Sequence, residues 1–99
     1  MTTLRSLDIC DNSIDLHGIK CLAELTTLTQ LSLRNCGISS DNICYLYLLS
    51  HLTYLDLRFN EGLPRTWDFG SEIYHSLPTL QWLKTDAFVH FDPNYFMEY

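Results

Sequence analysis

A motif that recurs every 24 residues is the feature that most constrains how this chain folds. It has leucine or isoleucine at its first, fourth and sixth positions and a compact Asn or Cys at its ninth. Copies begin at Leu4, Leu28 and Leu52, and a more divergent fourth copy begins 28 residues later, at Leu80. A unit of this length cannot bury its apolar face alone and must stack on neighbouring units. The period therefore predicts a solenoid, which is more typical of a binding scaffold than of an enzyme.

The first half of each unit has the pattern of a short strand. Apolar residues alternate with polar ones, which is typical of a strand with one buried face. The apolar pairs are Leu7/Ile9, Leu31/Leu33 and Leu55/Leu57. The compact residue that follows, Asn12, Cys36 or Asn60, is expected to turn inward and bond backbone groups of the bend. Cys36 is thus interpreted as a structural cysteine.

The second half of each unit has helical spacing. Apolar residues from Leu16 onward predict a helix that Asp15 caps, and Ser39 is expected to take the place of Asp15 in the second unit. The third unit is four residues longer. Its extra length predicts a loop over residues 61–70, with Trp67 and Phe69 packed beneath it, and then a short helix over residues 71–77.

Composition disfavours several function classes. Six basic and twelve acidic residues give a net charge of −6, which disfavours binding to nucleic acids and to anionic membranes. We find no signal peptide and no apolar run long enough to span a bilayer. The four cysteines form no Cys-x-x-Cys pair, which indicates reduced thiols in a cytosol-like compartment.

Catalytic and metal-binding motifs are not found in the sequence. The histidines and cysteines lack the spacing of a zinc site, and there is no Gly-rich phosphate loop. Asp8 and Asp56 would share a column of the sheet, but an open sheet offers no cleft, so a solvated face is the preferred interpretation. We therefore expect no catalytic residues, no cofactor and no metal.

The repeats resemble the leucine-rich-repeat family, whose units read Leu-x-x-Leu-x-Leu-x-x-Asn/Cys-x-Leu. The resemblance covers about residues 4–85. Residues 12–23 look most like the intracellular subclasses: cysteine-containing, ribonuclease-inhibitor-like and short bacterial-effector repeats. It implies an α/β solenoid, a right-handed superhelix with a concave parallel sheet of about four short strands and helices on the convex side. Residues 1–85 would form the array and residues 86–99 an aromatic cap.

The same resemblance implies that a protein partner binds the concave sheet face. The polar strand positions form columns across the units, one running Ser6, Gln30, Tyr54, Trp82 and the next Asp8, Ser32, Asp56, Lys84. The rim loop at residues 61–70 would add contacts. Two alternatives stay open: Phe59 packs sideways on this loop, and Trp82 belongs to the cap. The expected binding residues are Gln30, Ser32, Arg34, Tyr54, Asp56, Arg58, Phe59 and Trp82.

The two ends of the array raise further hypotheses. Leu4 already occupies a repeat position, so the first unit is expected to lack a cap. Either the chain is the C-terminal piece of a longer array, or another chain covers this edge, by self-association or otherwise. The aromatic segment 86–99 is interpreted as a cap, with a docking peptide as the rival.

Three functions follow from this pattern. The first is a non-catalytic, cytoplasmic protein-recognition module, without excluding secretion as an effector into a host cell. The second is a structural or assembly subunit that associates through its N-terminal edge. The third is a targeting domain of a larger effector or ubiquitin-ligase component, which rests on the family resemblance alone.

Overall fold

Four short parallel strands, one from each copy of the motif, form a single sheet. The computed structural model describes residues 4–64 and 67–86, except the side chains of Trp67 and Asp68. Neighbours in the sheet are also neighbours along the chain, and each central leucine lies in register with the next: Leu7, Leu31, Leu55 and Leu83. The strands are β1 (Ser6–Asp8), β2 (Gln30–Ser32), β3 (Tyr54–Asp56) and β4 (Trp82–Lys84). This register confirms the predicted α/β solenoid and both predicted columns.

The hydrophobic core lies between the sheet and the helical segments. Leu31 and Leu55 are fully buried from the sheet side, and Ile19, Leu46 and Ile73 are fully buried from the helical side. Each such side chain contributes roughly 1.5–3 kcal/mol through burial. Because the leucines point into the core, the residues between them face outward. We call that outward sheet surface the concave face.

The first helical segment follows the sequence prediction. Helix α1 spans Leu16–Leu22, and the Asp15 carboxylate accepts a hydrogen bond from the Gly18 backbone N–H at 2.9 Å. This bond satisfies one of the N–H groups that a helix start leaves without a partner.

The second segment differs from the prediction. It is a 3₁₀ helix over Ile43–Leu48, and Ser39 does not cap it. The Ser39 backbone instead forms a parallel bridge with Gly62, and its N–H donates to the Asn42 side chain at 2.8 Å. Gly62 fits there because a Cβ on it would lie 2.8 Å from the Ser39 Cβ. The expected Ser39 cap is wrong because the third unit holds that residue in a bridge.

The third segment begins earlier than predicted. Helix α2 spans Trp67–Ser76, so residues 67–70 of the predicted rim loop are helical, and the prediction of a loop through residue 70 is wrong. Phe69 is buried, and it joins the hydrophobic core. Burial of Phe69 on the first turn explains the early start, since helix formation places that ring against the core. The predicted packing of the Trp67 side chain lies outside the described residues.

The inward turn after each strand is confirmed most clearly at Asn60. Its Oδ1 accepts the backbone N–H groups of Cys36 and Ile38, both at 2.9 Å. Its Nδ2 donates to the carbonyls of Leu33 and Leu57, also at 2.9 Å. Three of these four groups belong to the preceding unit. Asn60 therefore fastens the third unit to the second.

Cys36 has the equivalent role in the second unit. Its thiol donates to the Ile9 carbonyl at 3.1 Å, and its side chain is fully buried. Burial raises the pKa of the Cys36 thiol above its ordinary value. This agrees with the structural role predicted for Cys36.

The N-terminal edge of the sheet is less well covered than its interior. Leu4, Leu7, Ile9 and Ile14 pack against the core but are only partly buried, and β1 pairs on one side only. The predicted aromatic cap falls, beyond residue 86, outside the described residues. No helix in the described ranges is long and apolar enough to cross a membrane.

Candidate functional site

The concave face brings most of the expected binding residues together. Five of the eight line one open depression of about 410 Å³, along with Asp8 and Ser6 from β1. Trp82 lies beside Tyr54 in register, on the next strand. The five are Gln30, Ser32, Arg34, Tyr54 and Asp56, and Arg58 lines the same depression from the end of β3.

Asp56 lies at the centre of this surface and is buried there. Arg58 forms a two-pronged ion pair with it, Nε to Oδ1 at 3.1 Å and Nη2 to Oδ2 at 3.0 Å, and the Arg58 N–H donates to Oδ1 at 3.2 Å. Only 3% of the Asp56 side chain is exposed. The prediction of a solvated Asp56 is therefore wrong, because Arg58 folds over it. The hydrogen bonds from Asp56 raise the pKa of the Arg58 guanidinium.

Arg34 is the second guanidinium beside this carboxylate, but it is bound differently. Its Nε lies 3.8 Å from Asp56 Oδ2, beyond hydrogen-bonding distance, and donates instead to Cys10 Sγ at 3.5 Å. Cys10 Sγ in turn lies 3.1 Å from Ser32 Oγ. The contact with Cys10, and then the nearby carboxylates, raise the pKa of Arg34. Arg34 remains 40% exposed.

Three residues of this face were missing from the expected site: Asp8, Cys10 and Lys84. The Asp8 carboxylate accepts the Cys10 N–H at 3.1 Å, and hydrogen bonds from Cys10 lower the pKa of Asp8. Lys84 Nζ lies 5.3 Å from the centre of the Tyr54 ring, within range of a cation–π contact. All three stand in the same columns as expected residues, which was the available signal for including them.

Phe59 lies apart from the rest of the expected residues. It lines a second depression at the strand exits together with Asp11, Asn35 and Glu61, and 61% of its surface is exposed. Its N–H donates to Asp86 Oδ1 at 2.8 Å. The alternative in which Phe59 packs sideways on the loop is not what the structure shows.

The strand exits share one backbone conformation. Asp11, Asn35 and Phe59, which stand 24 residues apart, have φ angles of 65°, 53° and 66°. Asn and Asp tolerate this left-handed region, whereas a bulky ring there is a genuine outlier. A phenylalanine at this position is therefore strained and exposed at once.

The described part of the chain contains no group of three or more His, Cys, Asp or Glu residues placed to hold a metal ion. His17 Nε2 lies 4.0 Å from Cys21 Sγ on the surface of α1, at the limit of a weak hydrogen bond. All four cysteines are free thiols.

Comparison with known proteins bears on the whole chain. A family model described as "Leucine Rich repeat" matches residues 1–23, 24–41 and 49–63. Neither curated proteins nor solved structures gave a significant match. The three matched segments follow the 24-residue period and span the strands that build the concave face. The chain belongs to the leucine-rich-repeat family.

Proposed function

We propose that this protein is a non-catalytic recognition module that binds a protein partner through its concave face. Leucine-rich repeats generally mediate protein–protein interactions and are typically non-catalytic. One observation carries the choice of face: Tyr54 and Trp82 lie side by side in register, with Arg34 and Arg58 in adjoining positions. Aromatic residues and arginine are the types that dominate interface hot spots.

The exit side of the strands extends the proposed surface. Phe59 stands exposed there, and the shortened rim loop beginning at Glu61 lies beside it. A strained and exposed aromatic residue is costly to the free protein, which supports a role in binding. We include Phe59 and residues 61–64 in the proposed interface on this ground.

The test compares two variants of the full chain. Tyr54→Ala combined with Trp82→Ala removes the aromatic pair, and Leu48→Ala removes a large side chain that is 62% exposed on the 3₁₀ helix, away from the sheet. We expect proximity labelling in cells to recover a set of proteins with wild type and Leu48→Ala that the double variant does not recover. Identical sets for all three proteins would contradict the proposal.

A second candidate function is assembly through the N-terminal edge. Its supporting observation is the row of partly buried Leu4, Leu7, Ile9 and Ile14 beside a strand paired on one side only. Light scattering across a dilution series tests it. A dimer that persists in the Tyr54→Ala, Arg58→Ala double variant supports assembly through the edge, and a monomer at every concentration argues against it.

The cellular setting also belongs to the proposal. The Cys36 thiol donates a hydrogen bond, which requires reduced sulfur and supports a cytoplasmic or other reducing compartment. The third alternative, a targeting domain of a larger effector or ubiquitin-ligase component, stays a prediction from the sequence.

A further inference from the structure

We propose that Arg34 binds a carboxylate of the partner, an aspartate or glutamate side chain that enters the depression on the concave face. The inference rests on the proposed function and adds the chemistry of the partner at one position. It comes from the way two guanidinium groups share a single buried carboxylate.

The charges around Asp56 are unequal. Arg58 engages both carboxylate oxygens, at 3.1 and 3.0 Å, while Arg34 Nε stays 3.8 Å away. Such a two-pronged pair occupies the carboxylate in the favoured geometry of an arginine partner. The positive charge of Arg34 is thus left without an equivalent ion pair on this face.

Arg34 is also positioned to bind. Its Nε is held by Cys10 Sγ, and the Cys10–Ser32 contact fixes that sulfur in turn. Within residues 4–64 and 67–86, neither of its Nη groups forms a hydrogen bond, and the side chain is 40% exposed. A guanidinium anchored at one nitrogen presents its remaining donors in a fixed fork, which matches a carboxylate.

The charge balance favours a carboxylate over more highly charged anions. A phosphate group carries about −1.5 to −2 charges and is typically bound by several arginines together. Here Arg58 is already engaged, and Asp8 lines the same depression. The net charge of −6 also repels nucleic acid. One available guanidinium matches one carboxylate.

The neighbourhood of Arg34 indicates what flanks that carboxylate. Tyr54 and Gln30 line the same depression, and Trp82 lies beyond Tyr54 on the next strand. An apolar side chain adjacent to the acid would lie on the Tyr54 ring and displace water there. The partner segment is therefore an acidic residue beside an apolar or aromatic one.

The experiment uses a phage-displayed library of random peptides as the probe. It is selected on the wild-type chain, on Arg34→Gln and on Arg5→Gln, which makes the same change at an exposed arginine before β1. We expect acidic residues to be enriched on wild type and on Arg5→Gln but not on Arg34→Gln. Arg34→Lys, which keeps the charge and loses the fork, should give weaker enrichment. Circular dichroism checks that each variant is folded.

A selected peptide then gives the direct measurement. On the wild-type chain, changing its acidic residue to glutamine should raise Kd about tenfold. The same change should have little effect on Arg34→Gln, because the two partners act as one pair.

The outcomes separate this inference from the function on which it rests. Peptides that need Tyr54 but show no acid preference, or whose acid preference survives in Arg34→Gln, would overturn the carboxylate inference and leave the recognition face standing. Selections that yield no peptide sensitive to Tyr54→Ala or to Arg34→Gln would overturn both.

Discussion

At the scale of single residues, the side chain that turns inward after each strand decides how the units join. Asn60 bonds two N–H groups and two carbonyls, and Cys36 reaches back to the Ile9 carbonyl. Buried backbone groups of this kind cost about 1–3 kcal/mol each when they lose their partner. The identity of this residue therefore matters more to stability than that of any exposed neighbour.

Replacing Asn60 with alanine should destabilise the protein by about 3–5 kcal/mol, because it leaves several buried backbone groups without partners at once. The measurement is the free energy of unfolding in urea. Asn12→Ala is the matched control: Asn12 holds the same repeat position, but it is exposed and bonds only the Ile9 and Cys10 carbonyls. Equal losses in the two variants would show that the bonds to the preceding unit carry no special weight.

Cys36 gives a prediction about pH. Because burial raises the pKa of its thiol, the folded state keeps that proton to higher pH than the unfolded state does. Its stabilising contribution is complete below the ordinary thiol pKa and is lost as pH rises above it. Wild type should therefore lose free energy of unfolding on an alkaline titration faster than Cys36→Ser, whose hydroxyl does not ionise. Parallel curves for the two proteins would contradict this.

Residue identity explains which features of the site could be predicted. Asn60 and Cys36 were found from sequence because their position repeats, and so were the columns that place Tyr54 beside Trp82. The burial of Asp56 was not, because it depends on the path of the Arg58 side chain. A periodic pattern fixes where a side chain starts and not where its charged end goes.

At the scale of elements, the strands follow from sequence and the convex segments do not. All four strands lie in the predicted register, since a 24-residue period leaves each strand one place to pair. The 3₁₀ helix over Ile43–Leu48 and the early start of α2 depend instead on contacts between units. The Ser39–Gly62 bridge is such a contact, and no local pattern announces it.

The two candidate helix caps give a matched test at this scale. Asp15→Ala should cost about 1 kcal/mol, because it removes the acceptor of the Gly18 N–H. Ser39→Ala should change stability by less than about 0.5 kcal/mol, since the bridge uses the backbone and not the hydroxyl. Thermal unfolding of both variants measures the difference. A larger loss at Ser39 would restore the cap that the sequence predicted.

At the scale of the whole molecule, stability is set by neighbouring units. Each inner unit is covered on both sides, whereas the first is covered on one, and its Ile9 is only partly buried while Leu33 and Leu57 are buried. In a repeat protein such a difference makes the poorly covered unit open more often than its neighbours.

Hydrogen exchange should reveal this gradient at three equivalent amides. Those of Ile9, Leu33 and Leu57 donate to the next strand at 3.2, 2.9 and 2.8 Å. We expect the Ile9 amide to exchange at least about tenfold faster than the other two, a difference of about 1.4 kcal/mol in opening free energy. Nuclear magnetic resonance measures it residue by residue. Uniform protection would mean that the units open together, or that another chain covers the edge.

The reach of Asn60 has a consequence for the order in which the protein acquires its structure during translation. The N–H groups of Cys36 and Ile38 belong to the second unit, but their acceptor is made 22 to 24 residues later. When the second unit leaves the ribosome, its turn is therefore incomplete. Since synthesis adds about 5–20 residues per second, that unit waits on the order of seconds for its final bonds. Each nascent unit is finished by its successor.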